Sequence, residues 1–141
     1  MLVRLLYVSR SVKPETPEET ESILNSSREH NISNGITGVL CFGGGIYLQA
    51  LEGGRNQVNA LYTHIVKDPR HKDVVILDYQ EISERRFGGW TMGHVRLDKL
   101  NPSIVLKYSE TPELDPYGVS GSVSFALLEE LMATASIVGR A

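Results

Sequence analysis

A primary amide in the middle of an apolar run is the residue of this sequence that most needs a chemical explanation. Gln49 lies within I-Y-L-Q-A-L, where strand-like alternation predicts that its side chain is buried. A buried amide must find hydrogen-bond partners for both its donor end and its acceptor end. Gln49 is therefore the first candidate functional residue.

Other polar side chains are predicted to face the same space as Gln49. Two helices on one face of a sheet leave a slot between them. Branched aliphatic walls in such a slot suit a flat aromatic ligand, whose edge can bond amides and hydroxyls. Taken singly, each residue of this set is also consistent with core packing or helix capping. The candidate polar groups are Tyr7, Ser27, Asn31 and Gln49, and the candidate aliphatic walls are Ile23 and Ile65.

Ordinary catalytic and metal-binding arrangements are poorly supported. The glycines at 43–45 precede a strand rather than a helix, which does not fit a phosphate-binding loop. The acidic residues are dispersed, and the only cysteine, Cys41, cannot form an internal disulfide or a cysteine-based zinc site. We therefore expect no metal site. The histidines, no two of which have metal-ligand spacing on one helix, are His30, His64, His71 and His94.

Length and composition indicate one globular domain with a short appendage. The 141 residues are 41% hydrophobic and 22% charged, and a net charge of −3 gives no basic excess for nucleic-acid binding. No apolar run reaches membrane-spanning length, and the N-terminus has no signal-peptide pattern. We expect a soluble cytoplasmic protein.

The periodicity predicts two crossover units that share a hairpin. The order β-α-β-β-α-β, followed by one further strand, predicts a ferredoxin-like α+β fold. This is a mixed sheet with two helices on one face and the C-terminal helices on the other. The third strand then lies beside the first, so Tyr7 and Gln49 are neighbours if they share a face. The predicted strands cover residues 2–9, 39–42, 46–52, 74–82 and 90–97, and the predicted helices cover 17–30 and 56–68.

The C-terminal part is predicted to consist of a short helix over 98–108, a Pro/Gly/Ser-rich linker over 109–122 and a final helix over 123–138. The final helix carries an apolar stripe that needs a partner. We therefore expect it to cover the sheet face opposite the first two helices. The stripe comprises Phe125, Leu128, Leu131, Met132 and Ala135.

Five motifs occur in order along the chain, and the set is far more specific than any one of them. They are R-L-L-Y-V-S, N-x-x-x-G-I-T-G-V-L, Y-L-Q-A-L-E-G, I-V-K-D-P-R-H and R-R-F-G-G-W-T-M. With them the chain resembles the BLUF family, sensors of blue light using FAD, in its short single-domain form. The similarity spans residues 2–97. It implies a flavin-binding domain over 1–97 and a helical extension over 98–141 for output or oligomerisation.

The resemblance implies roles for the candidate residues toward non-covalently bound FAD. Tyr7 and Gln49 match the family's photoactive pair, and Asn31 matches the asparagine that bonds the isoalloxazine edge. Trp90 and Met92 match two fifth-strand positions that compete for the space beside the glutamine. The remaining implied contacts are Ile23 and Ile65 around the ring, Asp68, Arg70 and His71 on the ribityl-phosphate side, and Ser27 and His30. His30 and His64 depart from the asparagine and arginine of some members.

The resemblance also implies a sensor without turnover. After blue light excites the flavin, Tyr7 gives it an electron and then a proton through Gln49. Recombination leaves the Gln49 amide rotated or tautomerised, which shifts absorption to the red. The two ends of an amide differ in hydrogen bonding but hardly in shape, so inverting Gln49 rewires the network without repacking.

Geometry sets one further expectation. For Trp90 or Met92 to sense Gln49, the fifth strand is expected beside the first, between it and the fourth. Trp90 and Met92 would share one face of a regular strand, and we expect the flexible thioether of Met92 to fill the space against the amide. The altered network would then bias the fifth strand and the C-terminal helices.

The amino-acid sequence leaves the downstream effector and the choice among rival functions open. Family analogy favours a downstream effector in trans, either a response-regulator-like protein or a cyclic-nucleotide enzyme, together with a homo-oligomer. Because the ferredoxin-like fold hosts many functions, the alternatives are a metabolite-binding module and an acylphosphatase-like hydrolase without photochemistry. For the hydrolase, Arg10 is the available first-loop arginine. A flavin-free interaction domain is the third possibility.

Overall fold

A five-stranded mixed sheet forms the centre of the protein. The computed structural model describes residues 1–13 and 16–133, and the strand order in its sheet is β4-β1-β3-β2-β5. A single 3₁₀ turn, Leu97–Lys99, follows the last strand. The strands are β1 (Leu2–Ser11), β2 (Thr37–Gly43), β3 (Ile46–Gly54), β4 (His71–Ile82) and β5 (Gly93–Arg96), and the helices are α1 (Pro17–Asn34), α2 (Arg55–Val66), α3 (Pro102–Leu106) and α4 (Gly121–Ala133).

The first four strands have the expected ferredoxin-like topology. Strand β3 pairs antiparallel with both β1 and β2, and β4 pairs antiparallel with the other side of β1. The register places Tyr7 directly opposite Gln49. Since residues in register across antiparallel strands share a face, the two side chains are neighbours. The ferredoxin-like prediction is confirmed.

Local sequence explains the hairpin and the helix ends. The two-residue turn between β2 and β3 places Gly44 at φ 59° and Gly45 at φ 78°, the positive values that a tight hairpin turn of this length uses. Thr16 caps α1 by accepting a hydrogen bond from the backbone N–H of Glu19 at 3.1 Å. Gly35, at φ 68°, ends it in the left-handed conformation. Helix α1 therefore runs four residues beyond the predicted end at His30.

Two hydrophobic clusters lie on opposite faces of the sheet. The helix-covered cluster contains Tyr7 and Met92 together with apolar side chains of α1 and α2. The other contains Trp90 and the buried leucines of α4. The prediction that the C-terminal helix covers the second face is thus confirmed. In α2, Val58 is fully buried, whereas Val66 at the end of the helix is 47% exposed.

The predicted position of the fifth strand is wrong. Strand β5 is a four-residue edge strand that pairs in parallel with β2, and it does not lie between β1 and β4. Trp90 and Met92 precede β5, so the alternation of a regular strand does not apply to them and they enter different clusters. Strand β5 pairs with β2, which in turn pairs with β3. Met92 lies directly before β5 and is therefore close enough to contact β3.

The C-terminal elements differ from the prediction in detail. Pro102 begins α3 instead of interrupting a longer helix, a position where its missing N–H costs no hydrogen bond. The Ser120 hydroxyl accepts a bond from the Val123 N–H at 3.2 Å at the start of α4. Leu127, absent from the predicted stripe, is 1% exposed. The predicted contact of Ala135 and the helix end at residue 138 lie outside the described residues.

Candidate functional site

A cavity of about 650 Å³ lies between α1, α2 and the sheet. This volume is within the range of sites for drug-sized ligands and cofactors. Every residue predicted to contact a cofactor lines it. These residues are Tyr7, Ile23, Ser27, His30, Asn31, Gln49, Ile65, Asp68, Arg70 and His71.

Tyr7 and Gln49 form the floor of the cavity. The Tyr7 hydroxyl donates to Gln49 Oε1 at 2.5 Å, and the two side chains are only 4% and 5% exposed. Burial raises the pKa of the Tyr7 phenol above its usual value, and the nearby Tyr62 and Asp68 raise it further. Tyr7 is therefore a neutral hydrogen-bond donor throughout the physiological pH range.

The other end of the Gln49 amide faces a thioether. Gln49 Nε2 donates to Met92 Sδ at 3.3 Å, and Met92 is fully buried. Tyr7 thus satisfies the acceptor end of the amide and Met92 satisfies its donor end. Thioether sulfur is a weak acceptor and has no hydrogen to donate, so this arrangement is specific for one orientation of the amide.

Asn31 supplies the test of whether the cavity fits a flavin. Its side chain is 1% exposed and lines the cavity, yet neither Oδ1 nor Nδ2 has a hydrogen-bond partner among the residues that the structure describes. A buried amide without partners is costly. A ligand edge that presents a carbonyl beside a ring N–H, as isoalloxazine does, would satisfy both atoms. The donor set therefore fits a flavin ring.

The cavity walls also suit a flat ring system. Ile23 on α1 and Ile65 on α2 are both partly buried, and both pack against the helix-side cluster. Leu40 of β2 and Leu61 of α2 add further apolar lining. Aliphatic side chains from two separate helices can thus contact the two faces of one planar ligand.

The far end of the cavity is polar. Arg70 Nε donates to Asp68 Oδ1 and Oδ2 at 3.0 Å each, and this pairing lowers the pKa of the Asp68 carboxyl. His71 Nε2 donates to the Ile65 carbonyl at 2.6 Å, while its Nδ1 lies 2.8 Å from Ser9 Oγ. These groups are suited to the hydroxyls and phosphate of a ribityl chain.

Comparison with known proteins identifies the family. Residues 2–93 match the family model described as "BLUF: Sensors of blue-light using FAD". This chain belongs to the BLUF family. Two curated BLUF relatives are the photoactivated adenylate cyclase subunit alpha of Euglena gracilis, 38% identical over 62% of this chain, and the blue light- and temperature-regulated antirepressor BluF of Escherichia coli K12, 35% identical over 62%. The chain covers only 8% and 22% of their respective lengths.

Solved BLUF structures resemble nearly the whole chain. The photo-activated state of BlsA has a TM-score of 0.85 at 30% identity and covers 94% of this chain, which covers 95% of it. Dark-state BlrB has a TM-score of 0.79 at 30% identity, with 95% and 96% covered. BlrP1 of Klebsiella pneumoniae, solved with FMN and cyclic diGMP, has a TM-score of 0.70 at 29% identity, and this chain covers 35% of it.

Several residues of the BLUF cavity were missed from the sequence. Asn34 lies in the last turn of α1, and Asn56 and Gln57 lie in the first turn of α2. Gly35 signalled the true end of α1, and an α1 that ends there brings Asn34 into the lining. Tyr47 lines the cavity two positions before Gln49, where strand alternation places it on the same face.

Trp90, predicted to compete for the space beside Gln49, does not line the cavity. It packs in the cluster on the α4 side of the sheet and is 7% exposed. Within residues 1–13 and 16–133, no helix combines the length and apolar character needed to cross a bilayer. The same described residues contain no group of three His, Cys, Asp or Glu side chains able to hold a metal ion.

Proposed function

We propose that this chain is a blue-light photoreceptor that binds flavin non-covalently in the cavity between α1 and α2 and signals through the Tyr7–Gln49–Met92 network. One observation carries the proposal. The buried Gln49 amide is held at its acceptor end by a phenol and at its donor end by a thioether. It lies beside a cavity that contains the Asn31 amide, which has no partner among the described residues.

Bound flavin would supply the absorption of blue light and a strong excited-state oxidant. Tyr7 would supply one electron to that oxidant together with its phenolic proton, which would pass through the hydrogen-bonded Gln49. Both return to Tyr7 at the end of the cycle, so the net reaction oxidises and reduces nothing. The 2.5 Å contact between the Tyr7 hydroxyl and Gln49 Oε1 is within the distance that proton transfer requires.

This step would leave the Gln49 amide inverted. The inverted amide presents Oε1 to Met92 Sδ, so two acceptors face each other where a donor and an acceptor stood before. Nε2 can still donate to the Tyr7 oxygen. The contact that becomes unfavourable is therefore the one with Met92. This side chain is the first to be displaced by the inversion.

FAD is the proposed cofactor. The family description names it, and the polar end formed by Asp68, Arg70 and His71 suits a phosphorylated ribityl chain. FMN shares that portion of the molecule. Chromatography of the flavin released from the purified protein would separate the two, since FAD carries an additional adenylate.

The proposed output is an interaction in trans, without substrate turnover. Residues 1–97 would act as the sensor and residues 98–141 as the output or oligomerisation extension, in the cytoplasm. An effector such as a response-regulator-like protein or a cyclic-nucleotide enzyme, or a second copy of the chain, would read the change. The names of BLUF relatives associate this domain with adenylate cyclase and antirepressor activities.

A light-minus-dark absorption spectrum tests the proposal. The purified protein should be yellow and should show a small red shift after blue light that reverses in the dark. A yellow protein without the shift would contradict the proposed network, and a folded protein that takes up no flavin would contradict the site. For the rival hydrolase, Arg10 is poorly available, because its Nε pairs with Asp73 at 3.7 Å and its Cζ lies 4.3 Å from the centroid of the Tyr117 ring.

A further inference from the structure

Arg28 joins the cavity helix to the segment that carries Met92. It follows Ser27 on α1, and its Nη2 donates to the Met92 carbonyl at 3.2 Å and lies 3.3 Å from His94 Nδ1. Arginine has no acceptor, so the Nδ1 atom must accept. His94 is therefore neutral and carries its proton on Nε2. Burial and the neighbouring Arg28 both lower the pKa of His94, which agrees with this state.

The segment before β5 depends on side chains for its position. It is not part of a regular strand, and its backbone is fixed at separate points. Glu52 accepts from the N–H groups of Arg86 at 3.0 Å and Phe87 at 2.6 Å, and the Trp90 carbonyl accepts from Gly38 at 3.0 Å. Arg28 fixes the next part of the segment, at the residue that contacts Gln49.

We propose that Arg28 is a positioning residue that holds Met92 in its dark-state place and thereby sets the lifetime of the lit state. This inference rests on the proposed function above. An inverted Gln49 amide repels the thioether. Movement of Met92 away from the amide would therefore lower the free energy of the lit state. The bond from Arg28 to the Met92 carbonyl opposes that movement. The bond therefore keeps the free energy of the lit state high and accelerates the return to the dark state.

The test is the rate of dark recovery. Arg28→Ala removes both bonds from a partly exposed position on α1 and should slow recovery about fivefold, as expected for the loss of one hydrogen bond. Arg28→Lys can still donate to the Met92 carbonyl and should restore part of the wild-type rate. Glu29→Gln, a charge change at the adjacent exposed position, is the control and should recover at the wild-type rate.

A second variant separates positioning from general destabilisation. In a Met92→Ala background the thioether no longer contacts Gln49, so adding Arg28→Ala should leave recovery unchanged. A slowing that persists in this background would overturn the proposal, as would unchanged or faster recovery in Arg28→Ala alone. Thermal midpoints of all variants would report whether the fold is retained. If the wild type itself gives no red shift, the proposed function fails first and separately.

Discussion

Trp90 and Met92 are two positions apart in the chain but lie against opposite faces of the sheet. Met92 Sδ accepts from Gln49 in the cavity floor, whereas Trp90 packs in the cluster that α4 covers. One short irregular segment is therefore in contact with both the amide and the C-terminal helix. A displacement of Met92 can reach α4 through three residues of backbone.

Met92→Ala should uncouple the amide from α4. In the wild type, light should increase amide hydrogen exchange at residues 83–92 and in α4, because Met92 is displaced. Without the thioether, we expect this light-dependent difference to fall by at least half. Hydrogen exchange with mass spectrometry measures it. Leu106→Ala, which truncates a 49%-exposed side chain of α3, is the control and should retain the wild-type difference.

Gln49→Leu should bind flavin but lose the red shift. Leucine roughly preserves the volume but has no donor or acceptor to exchange between Tyr7 and Met92. Absorption spectra before and after illumination measure the shift. The matched control is Gln57→Leu, which removes an exposed amide from the cavity rim and should leave the shift intact. An undiminished shift in Gln49→Leu would exclude this amide from the photochemistry.

Tyr7→Phe should remain yellow but photo-inactive, because phenylalanine cannot supply the electron and proton. Transient absorption would then show no product that persists after the excited state decays. Tyr62, whose ring centroid is 5.9 Å from that of Tyr7, offers a matched control in Tyr62→Phe, which should retain the red shift. A normal photocycle in Tyr7→Phe would instead make Tyr62 the electron donor to test next.

Glu52→Gln should destabilise the fold strongly. The carboxylate is fully buried and accepts from Arg4 at 3.0 Å, from a side chain that is only 11% exposed. The substitution leaves the Arg4 charge without its partner, which we expect to cost on the order of 3 kcal/mol in the free energy of unfolding. Urea denaturation measures this quantity. Glu84→Gln, at an exposed position, should change it by less than about 0.5 kcal/mol.

His94 should make both stability and recovery depend on acidity. Its pKa is lowered in the folded protein from a model-peptide value of 6.5, mainly by burial and then by Arg28. The contribution of neutral His94 to the free energy of unfolding is therefore present above pH 6.5 and is lost as pH falls through the lowered pKa. Protonated Nδ1 cannot accept from Arg28. Phe42, which stacks on His94 from β2, is uncharged, and Arg96 Cζ lies 6.0 Å from the centroid of the Phe42 ring.

The comparison is between the wild type and His94→Gln, whose amide oxygen can accept from Arg28 at any pH. As the pH falls below 6.5 the wild type should lose more stability than the variant. Its dark recovery should slow toward the rate of Arg28→Ala once the pH passes below the lowered pKa of His94. The other histidines are common to both proteins and cancel in the difference. Parallel pH profiles would show that the contact between Arg28 and His94 carries no pH dependence.

Local patterns predicted the hairpin, both cavity helices and the facing pair of Tyr7 and Gln49. These features depend on hydrophobic periodicity, on glycine turns and on short crossover connections. Residues close together in the sequence determine all three. Local patterns also placed six candidate flavin contacts on elements that converge, and the family resemblance added His30, Asp68, Arg70 and His71. All ten line the cavity.

The position of β5 could not be read in this way. A fifth strand can add to either edge of a four-stranded sheet, or insert, without changing its own periodicity. What fixes it is long-range: Glu52 of β3 binds the backbone of Arg86 and Phe87, and Gly38 of β2 binds that of Trp90. These contacts also make the segment irregular, which is why Trp90 and Met92 do not alternate as strand residues.

Gly121 gives α4 a mechanical property. A Cβ atom at this first residue of the helix would lie 2.4 Å from the Leu77 carbonyl oxygen, so the start of α4 is pressed against the backbone of β4. The 13-residue helix extends about 20 Å from that contact. Gly121 therefore acts as a fulcrum: a tilt of about 5° there swings the opposite end by about 2 Å. A sub-ångström displacement of the residues that contact α4 near its start would become a larger displacement at its C-terminal end.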